Sequence, residues 1–147
     1  MIPPALLDVN LLVALFDPEH IHHDAAHRWF GDSRRGRWAS CPLTENGLVR
    51  IVSSPAYPGR RTTFADAAHR LRLFCEHPDH LFWPDSVTIR DPGLFDTTSI
   101  PGYRQITDVY LLALAVANGG ALATFDQAIS LAAVRGATVD RLVVLSA

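Results

Sequence analysis

Short apolar runs alternate along the chain with longer segments whose apolar residues recur every three or four positions. Ala5-Leu6-Leu7 is unbroken and stops at Asp8, as a parallel strand buried on both faces does. Leu11, Leu12, Leu15 and Phe16 then recur at helical spacing until Pro18. Residues 22–31 predict a second helix, with Ala25, Ala26, Trp29 and Phe30 on its apolar side and Gly36 as the breaker. Arg37–Cys41 reads as a strand closed by Pro42, and Thr44 as the cap of a helix from Glu45 to Val52. Pro55, Pro58 and Gly59 make residues 53–59 a loop. Thr62 or Thr63 opens a helix through Phe74, and Leu81-Phe82-Trp83 is a strand closed by Pro84. Residues 85–105, with Pro92, Gly93, Pro101 and Gly102, stay unassigned. Thr107 caps a helix through Ala117, which Gly119-Gly120 stops. Ala121–Thr124 is a strand running to Asp126, residues 127–134 are helical, and Leu142–Leu145 is a final strand. This alternation implies a single α/β domain over residues 1–147 with a mainly parallel sheet. In such sheets, sites form outside the carboxyl ends of the strands.

That rule gathers the acids. Asp8 and Asp126 follow strands, while Glu45 and Asp108 fall in first helical turns, so all four are expected on one edge of the sheet. Taken singly, each is explained as a helix cap or as a charge that complements a helix dipole. Together they repel one another, an arrangement that a cation relieves. Oxygen-only ligands suit Mg²⁺ or Mn²⁺ rather than zinc.

Charge changes the picture further. The formal net charge is −2, yet residues 28–72 alone carry +6. This middle stretch suits a phosphate backbone, and a solvated basic face explains it equally well. Arg34, Arg35, Arg37, Arg60 and Arg61 lie in it beside expected loops and are the candidate phosphate contacts. No apolar run reaches the roughly 18 residues of a membrane span. The N-terminus lacks the positive residues of a secretory signal, and Cys41 and Cys75 have no metal-type spacing. Reduced thiols in a cytoplasmic protein are the expectation.

Several competing chemistries fall on particular residues. Receiver domains and haloacid-dehalogenase phosphatases use a lysine, and all 13 basic residues here are arginine. The phosphatases also need a second Asp where Asn10 stands, and Asp8-Val9-Asn10-Leu11 is no glycine-rich dinucleotide turn. His20, His22, His23 and His27 cluster, and His23 with His27 has i, i+4 spacing, but no third zinc ligand is apparent. A polar helix face beside Trp29 and Phe30 is the expected role.

Four segments carry a resemblance. Leu6-Leu7-Asp8-Val9-Asn10, Thr44-Glu45-Asn46-Gly47, Ile106 through Ala113, and Ala123-Thr124-Phe125-Asp126 resemble, in order, the four acidic motifs of PIN domains. Their spacing is similar to that of the VapC-type toxins of prokaryotic toxin–antitoxin pairs. The resemblance implies a PIN-like α/β fold, with a five-stranded sheet flanked by helices on both faces. It implies an endoribonuclease dependent on Mg²⁺ or Mn²⁺. By resemblance Asp8, Asp108 and Asp126 hold metal, Glu45 completes the catalytic set directly or through water, and Asn10 and Thr124 orient the ligands. It further implies an RNA substrate, a VapB-type antitoxin and a homodimer. Trp29, Phe30 and Trp38 are expected at the antitoxin interface. The alternative is a PIN-like scaffold that binds RNA or a partner with little or no catalysis.

Overall fold

The computed structural model describes residues 2–32 and 35–146. Five strands, β1 (Ala5–Leu7), β2 (Trp38–Ser40), β3 (His80–Phe82), β4 (Ala121–Thr124) and β5 (Leu142–Val144), form one sheet in the order β3-β2-β1-β4-β5. Every pairing is parallel. β1 and β4 are buried along their whole length, which is why their sequences carry no polar alternation. Among the described residues, five α-helices surround the sheet: α1 (Val9–Phe16), α2 (His23–Gly31), α3 (Pro42–Val52), α4 (Phe64–Phe74) and α5 (Ile106–Ala117).

Alternate strand residues feed two cores. Ala5, Leu7, Trp38 and Ala123 pack with residues of α1, α2, α3 and α4 on one face. Leu6, Ala39 and Leu122 pack with Val109, Leu111, Leu112 and Leu114 of α5 on the other. The chain builds outward from β1 to β3, then returns to place β4 on the other side of β1. That reversal opens a crevice at the carboxyl ends of β1 and β4.

Several element boundaries differ from expectation. α3 begins at Pro42, whose missing N–H costs nothing at the first helical position. Thr44 is therefore inside the first turn rather than at the cap. Its hydroxyl accepts from the Cys41 amide and donates to the Cys41 carbonyl, both at 3.1 Å. Thr107 likewise lies inside α5, whose N-cap residue Gln105 makes no side-chain cap bond. Residues 127–134 form only a 3-10 turn at Leu131–Ala133. Their backbone is drawn to the 94–96 segment: Ala133 O accepts from Asp96 N at 2.9 Å, and Arg135 N donates to Leu94 O at 2.8 Å.

The entry to β4 is tight. A Cβ on Gly120 would stand 2.4 Å from Pro4 O and 2.6 Å from the Trp83 ring. Ala121 N donates to that same Pro4 carbonyl at 2.9 Å, so the backbone cannot retreat without loosening β1 from β4. Gly120→Ala is expected to cost about 1–3 kcal/mol, the usual range for overpacking. Urea unfolding measures it, and an unchanged midpoint would show that the wall yields.

Candidate active site at the carboxyl edge of the sheet

Asp8 leaves β1, caps α1 and is only 4% exposed. Its Oδ1 accepts from Val9 N at 2.7 Å and its Oδ2 from Thr124 Oγ1 at 2.7 Å. Thr124 ends β4 and is fully buried. Because its single proton goes to Asp8, its oxygen is free to accept. It does so from Asn10 Nδ2 at 3.2 Å and from Asp126 N at 3.0 Å. Asn10 Oδ1 in turn accepts from Phe125 N at 3.3 Å. This lattice joins the residues just after β1 to those just after β4 and fixes both acids. Asp126 Oδ1 also accepts from Ala128 N at 2.8 Å, turning the chain away from the strand.

Asp108 enters from the first turn of α5 and meets the other two. Burial, the Asp8 charge, a hydrogen bond with Asp126 and the Asp126 charge together raise its pKa from 3.8 to about 7. Burial raises Asp8 as well, opposed by its bonds from Thr124 and Val9. The metal-free crevice therefore keeps a proton near neutral pH. Three carboxylates with no thiol or imidazole among them suit a hard divalent cation, and their mutual repulsion is the strain such an ion removes.

Glu45 is placed differently. It stands in the first turn of α3, at the same edge, but Ser40 Oγ donates to its Oε2 at 2.6 Å. Its near neighbours are Cys75 and His80. The charges acting on Asp8 and Asp108 come from within the aspartate trio. The structure thus brings three of the four acids together and leaves the fourth turned toward β2 and β3. Ser40 was missed in the sequence; its only signal was a hydroxyl at the carboxyl end of a buried strand.

The candidate RNA contacts divide. Arg37, Arg60 and Arg61 are exposed. Arg35 is not available to a phosphate. Its side chain is only 8% exposed and pairs with Asp79 at 3.6 Å, and its guanidinium lies over the Phe30 ring at 4.6 Å. It also donates to the Phe30 and Gly36 carbonyls. Arg34 lies outside the described residues. Trp38, expected at a partner interface, is fully buried, tilted against Phe74 with ring centroids 4.6 Å apart and edge-on to Phe30 at 5.4 Å. Trp29 and Phe30 are half-buried against the same core.

The histidine cluster serves the fold. His23 Nδ1 lies 2.7 Å from Ala14 O and His27 Nε2 lies 3.0 Å from Leu15 O, so both rings satisfy carbonyls in the last turn of α1. His22 stacks on Phe125, with ring centroids 4.6 Å apart. Beside the crevice, a groove of about 590 Å³ runs from Asn10 past Val13, Asp17, His20, Ile51 and Tyr57. Among the described residues, no helix is long and apolar enough to cross a membrane.

The PIN domain family matches residues 5–135. Ribonuclease VapC44 of Mycobacterium tuberculosis is 45% identical over 145 residues, covering 96% of this chain and 99% of the relative. Ribonuclease VapC39 of the same organism is 43% identical over 126 residues, covering 86% and 91%. Ribonuclease VapC38 is 42% identical over 125 residues, covering 85% and 86%.

Proposed function

Because this chain belongs to the PIN-domain family, we propose that it is a toxin endoribonuclease whose cleaving centre is the crevice of Asp8, Asp108 and Asp126. The carrying observation is that Thr124 ties Asp8 to the Asp126 backbone while Asp108, from the first turn of α5, stands close enough to both that burial and their charges together raise its pKa. Asp8, Asp108 and Asp126 are the residues that would hold Mg²⁺ or Mn²⁺. When bound, such an ion offsets charge on a scissile phosphate and acidifies a water. Asp8 is the rigid donor, since Val9 N and Thr124 Oγ1 fix both its oxygens. Asn10 and Thr124 are positioning residues, coupling Asp8 to the Asp126 backbone. Glu45 is the fourth acid of the proposal. Its carboxylate, held by Ser40 in this structure, is the group that would accept a proton from an attacking water once free of that bond.

RNA is the proposed substrate, and an antitoxin and a second copy of the chain are the proposed partners. Arg37, Arg60 and Arg61 remain the candidate phosphate contacts. Every arginine that neutralises a phosphate adds about one unit to the dependence of log affinity on log salt. Arg60→Gln with Arg61→Gln is therefore expected to lower that slope by about two in an RNA titration. An unchanged slope removes both from the footprint. Arg35→Gln, by contrast, should lower stability and leave the slope alone, because its guanidinium is already bound within the protein.

The direct test incubates the purified chain with RNA and Mg²⁺ or Mn²⁺, with and without chelator. Cleavage that needs the metal, and that a co-expressed antitoxin suppresses, is the expected result. Cleavage that persists in chelator would overturn the metal assignment.

A further inference from the structure

Away from the aspartate crevice, side chains from four separate elements meet beneath the β2–β3 edge of the sheet. Ser40 comes from the end of β2, Glu45 from the first turn of α3, Cys75 from the C-cap of α4 and His80 from the start of β3. Ser40 Oγ sits among the other three, 2.6 Å from Glu45 Oε2, 2.8 Å from His80 Nε2 and 4.0 Å from Cys75 Sγ. One ligand atom from each of Glu45, Cys75 and His80 lies within 4.8 Å of the other two. All three residues are half-buried, so an ion can enter and the walls can hold it.

We propose that Glu45, Cys75 and His80 form a second metal site, for a zinc-class transition ion, set apart from the three aspartates and sharing Glu45 with the catalytic set proposed above. The donor set decides the class: one sulfur, one imidazole nitrogen and one carboxylate oxygen suit Zn²⁺ or Co²⁺ and not Mg²⁺. Tetrahedral zinc, with bonds of about 2.0–2.3 Å, sets its ligands roughly 3.5 Å apart, so modest side-chain rotations close the site. Ser40 Oγ or a water takes the fourth position.

Surrounding contacts prepare the ligands. A backbone hydrogen bond with Cys75 orients the His80 ring, and burial keeps that ring toward its neutral, ligating form. Burial also raises the Cys75 thiol, so binding must release its proton. Among the described residues, no other set of thiol, imidazole and carboxylate lies this close together. Cys41 is fully buried against Thr44, and His23 and His27 are bonded to the carbonyls of α1. An ion here would tie α3, α4 and β3 together and keep the Glu45 carboxylate away from the aspartates. Binding itself does not depend on the cleavage reading.

The test titrates the metal-free full chain with Co²⁺ and follows visible absorption. Tetrahedral bands and a thiolate-to-cobalt charge-transfer band should appear, saturate at about one equivalent and disappear on adding Zn²⁺. They should persist in Cys41→Ser and in Asp108→Asn. Cys75→Ser should abolish the charge-transfer band, and His80→Gln should weaken binding at least about tenfold. An arm without mutation uses alkylation: Zn²⁺ should protect Cys75 from a thiol reagent in the wild-type chain. No charge-transfer band, a band that survives Cys75→Ser or vanishes in Cys41→Ser, or no protection of Cys75 would each overturn the site.

Discussion

Asp108→Asn is expected to fold as well as the wild-type chain and to cut RNA about a hundredfold more slowly, or worse. The substitution suits the question because of the state Asp108 is in. With its pKa at about 7 and a hydrogen bond to Asp126, the metal-free side chain is close to a neutral acid donating to a carboxylate. Asn reproduces that neutral donor, so the crevice keeps its bond and loses one source of repulsion. What Asn lacks is a charged oxygen for a cation. A purely structural aspartate would therefore tolerate the change, and a metal ligand would not. Asp126→Asn should behave similarly, since its Oδ1 bond from Ala128 N can be kept by the amide oxygen. Asp8→Asn is the poorer probe. Both its oxygens accept, and Asn would turn an N–H toward Thr124 Oγ1, which already accepts from Asn10 and Asp126. Some stability should go with the activity there. Cleavage at the wild-type rate in both Asp108→Asn and Asp126→Asn would sink the proposed site.

How much of this was visible in the sequence depends on whether local or distant contacts decided it. β1 and β4 were legible because a strand buried on both faces is apolar almost throughout, so the acid that follows each run stands out. Once the strand order is known, Asp8 and Asp126 must flank the crevice. The start of α3 misled because Thr44 is a good cap by type, while Pro42, as a first-turn residue, was the stronger signal. Glu45 could be placed at the correct edge but not aimed. Its direction is set by Ser40, together with His80 and Cys75, which come from elements distant in the chain. Arg35 was assigned to solvent by the charge of its segment, whereas Asp79 and the Phe30 ring take it inward. The aromatic run from Trp29 to Trp38 shows the same limit. Density of aromatics does not say which of them the sheet will cover, and Trp38, on a central strand, is covered completely.

The apparent affinity for Mg²⁺ is expected to weaken about tenfold for each pH unit below about 7 and to level off above it. The reason is the proton on the aspartate trio. In the unfolded chain Asp108 has its ordinary pKa of 3.8, and in the metal-free fold it is raised to about 7. Between those values the folded state binds more protons than the unfolded one. This group's contribution to stability is therefore full below 3.8, declines as pH rises through the window and is gone above about 7. A cation reverses the preference, because it binds the ionised form and expels the proton. Metal-free protein should lose thermal stability from pH 5 to pH 8, and saturating Mg²⁺ should restore it most at pH 8, where no proton competes. Asp108→Asn should show a smaller decline, the part left by the raised Asp8, and little restoration. It should also exceed the wild type in metal-free stability at pH 8, with the two converging toward pH 5. Calorimetric titration in two buffers of different ionisation heat measures the released proton directly. About one proton per Mg²⁺ is expected in the wild type near pH 6, falling toward none above pH 8. No release near pH 6, or equal release in Asp108→Asn, would mean that Asp108 is not where the cation and the proton compete.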